Sequence, residues 1–140
     1  MGILAAEKEP HLVWNAFIDL IAVEGYEDLS VTQRKAHLVF WYDSEVQNGG
    51  HGQYLENQGT QRLRETIAAL HELGLPCQGR VLERVAQAFA VAPRGAAWEA
   101  VLAGDVIEQL DAAFHACSPD VDSGLKRHLG LHQEEYVSLA

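Results

Sequence analysis

Basic residues are scarce in this sequence. Lys and Arg number 10 against 20 Asp and Glu, for a formal charge of −10 over 140 residues. A protein that grips nucleic acid needs a basic face to meet the phosphates, so this balance argues against direct nucleic-acid binding. Long apolar runs are missing too. The first ten residues hold no basic stretch followed by an apolar one, and no run approaches the ~20 residues of a membrane-spanning helix. A cytoplasmic protein with no membrane partner is therefore expected. Cysteine is limited to Cys77 and Cys117. Two cysteines so far apart could meet in space but give little disulfide or metal signal, and they read as small buried thiols. The sequence also lacks alternating strand patterns, internal repeats, low-complexity linkers and a glycine-rich phosphate loop. None of Ser30, Ser44, Ser118, Ser123 and Ser138 has the context of a nucleophile elbow.

What remains is helical. Apolar residues make up 48% of the chain, enough to build a core and too many for disorder. The expectation is one all-α domain over residues 1–140, a compact bundle of about six or seven helices. Pro10 opens the first, with Val13, Phe17, Leu20 and Ile21 on one side. Ser30 or Thr32 caps a long second helix that reaches Asn48. A short third covers about 51–57. Thr60 caps a fourth with Leu63, Ile67 and Leu70 inward, and Gly74-Leu75-Pro76 stops it. The fifth, about 77–90, turns Val81, Leu82, Val85 and Phe89 inward until Pro93-Arg94-Gly95. A further turn is expected over 98–103. Asp105 and Glu108 have the spacing of a capping box ahead of Val106, Leu110, Ala113, Phe114 and Cys117. After Ser118-Pro119, a last helix from about Ser123 aligns Leu125, Leu129, His132 and Tyr136.

The densest run of unusual choices lies between Phe40 and Asn57. Leu38, Trp41, Tyr42, Glu45 and Gly49 share one helical stripe, which puts a carboxylate in line with two aromatics. Asn48-Gly49-Gly50 breaks the helix, and His51 starts the next. A carboxylate on an apolar stripe must find partners or cost several kcal/mol, on the order quoted for buried charge. Glu45 is therefore expected to turn back onto the new helix's N–H groups, or onto Tyr54 or Gln53, and lock the corner. The alternative is chemical: a small-molecule or metal-dependent enzyme built on Glu45, His51, Gln53 and Tyr54. No nucleophile or oxyanion partner accompanies that set in the sequence.

The string Glu45-Val46-x-Asn48-Gly49-Gly50-x-x-Gln53-Tyr54, with Trp41 and Tyr42 before it and Asn57 after, resembles the signature of a bacterial domain family. That family is largely of unknown function, and its named member is a DNA-mimic protein. The similarity covers roughly residues 35–117. It implies an all-helical fold and no known catalytic activity, and for the DNA mimic an acidic surface that occupies a DNA-binding protein; no cofactor is expected. His51 departs from the pattern, which has a bulky apolar residue, often Phe, at that position.

Charge is unevenly placed. Glu7, Glu9, Asp19, Glu24, Glu27 and Asp28 against Lys8 give residues 1–30 a charge of −5. Glu99, Asp105, Glu108, Asp111, Asp120 and Asp122, with no base among them, give residues 98–122 a charge of −6. These six are the candidate surface for a basic protein partner, such as a DNA-binding regulator. A toxic enzyme, neutralised in the manner of an immunity protein, fits the same charge. A globule of this size spans on the order of 37 Å, a length over which duplex DNA carries roughly 22 charges. One protomer with 20 acids spread over its whole surface falls short of that density, so a convincing mimic calls for a homodimer. His128 and His132, at i and i+4, have a spacing that can hold a metal. No third ligand is marked, although Glu135 or Cys117 could be drawn in, and His132 reads instead as a partly buried structural histidine.

Overall fold

The computed structural model describes residues 10–23, 25–91 and 104–136. The architecture is all-α, as the periodicity predicts, with six α-helices among the described residues: α1 (Pro10–Val23), α2 (Val31–Gln58), α3 (Leu63–Glu72), α4 (Pro76–Val91), α5 (Asp105–His115) and α6 (Val121–Leu131). Short 3₁₀ turns follow α1 (Tyr26–Asp28) and α6 (Gln133–Glu135). The long α2 is the organiser. It packs on α3, α5 and α6, while α3 packs on α4, α4 on α5, and α6 on α1.

Sequence chemistry explains the boundaries. Ser30 is the N-cap of α2: its hydroxyl accepts from Gln33 N–H at 3.1 Å, and the Gln33 side chain accepts from Ser30 N–H at 2.9 Å. That reciprocal box satisfies two of the donors a helix start leaves open. The stop after α3 is a Schellman turn, with Leu75 N–H on Leu70 O at 2.8 Å and Gly74 N–H on His71 O at 3.2 Å. Pro76 then takes the first position of α4, where its missing N–H costs nothing.

Phe17, Val39, Tyr42, Leu70, Leu75, Leu82, Val85 and Leu125 form the most deeply buried part of one continuous core. Their side chains come from every helix but α5, which adds Ile107, Leu110 and Phe114. Val106, expected inward, is more than half exposed, and Ile107 takes its place. The cause lies in where α5 begins. Its N-cap is Gly104, with no side-chain cap, so Asp105 and Glu108 form no capping box and simply stand in the first turn. Asp120 instead caps α6, accepting from Ser123 N–H at 3.0 Å, and that helix starts two residues before the expected point. Thr60 likewise caps nothing with its side chain. Only its carbonyl is engaged, by Leu63 N–H at 3.3 Å, and the N-cap of α3 is Arg62.

The cysteines correct the thiol reading outright. Cys77, early in α4, and Cys117, just past α5, form a disulfide with Cα atoms 5.6 Å apart. The packing of α4 on α5 brings them together across 40 residues of sequence, which no spacing rule could report. Such a bond is characteristic of oxidising compartments. Among the described residues, no helix is long and apolar enough to cross a membrane.

Candidate functional site

The expected break in α2 is real, although the helix resumes at once. Gly49 (φ −152°, ψ 19°) and Gly50 (φ 76°, ψ −177°) leave helical space, and helical geometry returns through Gln58. Gly50 sits in backbone territory that L side chains resist. A Cβ there would also lie 2.5 Å from Asp111 Oδ2. Both facts demand glycine, and the second reveals what the break is for.

Asp111, from α5, reaches the start of the resumed helix. Its Oδ1 accepts the backbone N–H of His51 at 2.8 Å and lies 2.6 Å from His51 Nδ1. Helix starts leave N–H groups unpaired and carry partial positive charge, so a carboxylate there is doubly favoured. Asp111 acts as an N-cap supplied from another helix. On its far side, His51 Nε2 is 2.7 Å from the Tyr42 hydroxyl. Assigning protons from this network puts the imidazole proton on Nδ1, donating to Asp111, and makes Nε2 the acceptor for Tyr42 O–H.

Tyr42 and His51 are both 0% exposed. Phe114 meets each edge-on, at centroid distances of 5.4 and 5.9 Å, and Tyr54 meets Tyr42 at 5.0 Å. Burial is the main reason that the His51 pKa falls below its usual value, with Asp111 pulling the other way. Burial also drives the Tyr42 phenol well above its ordinary value. In order of residue types the chain resembles a hydroxyl–imidazole–carboxylate triad. Its hydroxyl is sealed in the core, however, and resists ionisation, so the arrangement holds helices together and offers a substrate nothing.

The rest of the corner is tied locally. Asn57 Nδ2 donates to Glu45 Oε2 at 2.7 Å, and Asn48 Nδ2 to Gln53 Oε1 at 3.2 Å. Glu45 therefore does not lock the corner through backbone donors, Tyr54 or Gln53. The buried face of α2 runs through Ala36, Val39, Tyr42 and Val46, one step round from the stripe expected. Glu45 lies at its margin, half-buried, where one amide suffices, while Trp41 is 37% exposed. The locking carboxylate is Asp111, which the sequence presents only as one acid in an acidic segment.

The candidate acidic surface is divided among several tasks. Asp105 and Glu108 are exposed, Asp111 is in the corner, Asp120 caps α6, and Asp122 pairs with Lys126 at 3.0 Å. Glu99 lies outside the described residues, as do Glu7, Glu9, Glu24 and the turn expected over 98–103. The structure adds an acid from the neutral middle of the chain. Asp43, on α2, has a raised pKa, first through burial and further through the charges of Asp122 and Asp120. Three carboxylates from two helices thus lie within electrostatic reach of one another. The hydrogen bond from Ser123 holds Asp120 below its usual value.

Among the described residues no group of three or more His, Cys, Asp or Glu is arranged to hold a metal ion. His128 is the buried member of the histidine pair, with Nε2 2.9 Å from Tyr136 OH. His132 is exposed at the end of α6, because the helix stops at Leu131 and leaves the leucine stripe.

No curated protein and no solved structure matches the chain at a significant level. A family model described as DMP19-like protein matches residues 27–137, from the turn before α2 to the residue after Tyr136, and the chain belongs to the DMP19-like family.

Proposed function

We propose that this protein is a non-enzymatic interaction domain that offers carboxylates to a basic protein, a DNA-binding regulator being the best fit, in the manner of a DNA mimic. One observation carries the reading: Asp43 on α2 lies within electrostatic reach of Asp120 and Asp122 of α6, whose charges add to the burial that raises its pKa. Like charges brought together in this way disfavour one another, and a cationic partner relieves that cost. The net charge of −10 supports the same direction, and Asp105 and Glu108 add exposed acids on α5. A homodimer would join two such patches into a row long enough to imitate a stretch of duplex.

Attraction of this kind weakens steeply with salt. The test is capture from the source lysate at low salt, elution with a salt step, and competition with duplex DNA. A basic DNA-binding protein should elute with the step, be displaced by DNA, and escape the variant D43N/D120N/D122N. Equal retention by the triple variant would overturn the assignment of the surface. Release of an enzyme that the protein inhibits would place it with the immunity-type neutralisers instead.

A further inference from the structure

Between α2 and the start of α3 lies a cavity of about 50 Å³, lined by His37, Trp41, Tyr54, Gln58, Gln61, Arg62 and Thr66. No carboxylate lines it, in a chain where acids outnumber bases two to one. Its walls are donors. The Arg62 guanidinium lies over the Tyr26 ring at 3.6 Å and reaches Glu27 through one nitrogen at 3.2 Å, which leaves most of its five N–H groups available. Among the described residues, the Gln58 and Gln61 amides and the Trp41 indole N–H have no hydrogen-bond partner. His37 Nδ1 is buried and has no hydrogen-bond partner. A buried, unpaired imidazole nitrogen costs on the order of 1–3 kcal/mol, and a tautomer with its proton on that atom would offer it to an acceptor.

We propose that this cavity is a binding site for a small carboxylate, either free or at the tip of an acidic side chain. The donor set selects an anion with planar acceptor oxygens, which Arg meets bidentately. Size selects within that class. At about 10–15 Å³ for each water-sized occupant, the cavity takes roughly four heavy atoms, which suits a carboxylate with its attached carbon and excludes a nucleotide or a sugar. Trp41, partly exposed at 37%, forms an apolar wall for the methylene side. The site is independent of the acidic patch in residues, in charge and in its test.

His37 provides the readout. Its pKa is lowered by burial and then by Arg62, and an anion between the two opposes both effects. Histidine and indole NMR signals should be followed in full-length protein as sodium acetate is added, with sodium chloride at matched ionic strength as the control. The expected result is a saturable shift at His37 and Trp41, with the His37 pKa rising as acetate binds. Acetamide, equal in size and uncharged, should give no saturable shift. Arg62→Gln should weaken acetate by about tenfold or more. Because that change also removes the stack on Tyr26, Gln58→Ala with Gln61→Ala serves as a second variant of exposed residues and should weaken acetate with the fold intact. A glutamate-containing tripeptide that binds more tightly than acetate assigns the site to acidic peptides, and the reverse order assigns it to free carboxylates. A linear response, an equal response to chloride or acetamide, or unchanged affinity in both variants would overturn the proposal.

Discussion

Two buried histidine–tyrosine pairs clamp α2, one at its internal break and one near its start, and they work in opposite senses. At the corner, Tyr42 donates to His51 because Asp111 claims the proton on Nδ1. Near the start of α2, Tyr136 donates to the Thr32 carbonyl at 3.0 Å, so its oxygen accepts from Nε2 of His128. The same two residue types thus adopt opposite tautomers, and the third partner decides which. At the corner a carboxylate brings a charge to the imidazole, whereas near the start of α2 the tyrosine donates to a backbone carbonyl. Burial of a charge raises the stakes of every partner around it, so the corner should be the more fragile clamp.

The largest test of that difference is reduction of Cys77–Cys117. A closed loop spanning 40 residues contributes about 4 kcal/mol on the chain-entropy estimate, measured as the loss of urea stability on adding reductant. The bond fastens the end of α5, the helix that carries Asp111. Amide exchange at His51 should therefore accelerate more than exchange at Tyr136. Equal acceleration would erase the contrast between the clamps.

Next in size is Asp111→Ala. It strips two partners from His51, and the loss should be about 3 kcal/mol, because buried donors are left unmet beside a helix start. Tyr136→Phe removes only a neutral hydroxyl and should cost about 1 kcal/mol. Chemical denaturation of the two variants in parallel decides the order, and an inverted order would show that the neutral clamp is the stronger.

The smallest effect is with pH. The unfolded chain protonates its histidines near 6.5, whereas folded His51 takes up its proton only at lower pH. The unfolded state therefore binds more protons between those points, and stability falls as pH drops below about 6.5. Folded His37 is shifted the same way and contributes the same sign. His115 also lowers His51, while Asp111 opposes it. Denaturation at pH 7 and pH 5.5 should show His51→Phe with a shallower decline than the parent, leaving the His37 share. An unchanged decline would mean that His51 does not titrate differently on folding.

Legibility in the sequence followed contact distance. The Ser30 cap needs only Gln33, and the α3 stop needs only Gly74, Leu75 and Pro76, so both could be read directly. Apolar faces at helical spacing were equally plain on α1, α3 and α4. The break at Gly49-Gly50 was visible and its purpose was not, because Asp111 lies 60 positions from His51. The pairing of Cys77 with Cys117 and the meeting of Asp43 with Asp120 and Asp122 failed to show for the same reason. Each depends on which helices pack together. At Asp105 the miss was local: Gly104 took the cap position, and one residue of phase turned Val106 outward and Ile107 in.

The cap that Asp111 gives to His51 has a consequence in time. Residues 51–58 make barely two turns, too short to persist alone in water, and their cap is made roughly 60 residues later in the chain. During synthesis residues 51–58 therefore emerge before the carboxylate that caps them. Order at the corner is then a report that the chain has closed on itself. A nascent chain that ends before Asp111 keeps the bend but lacks the group that fixes its angle.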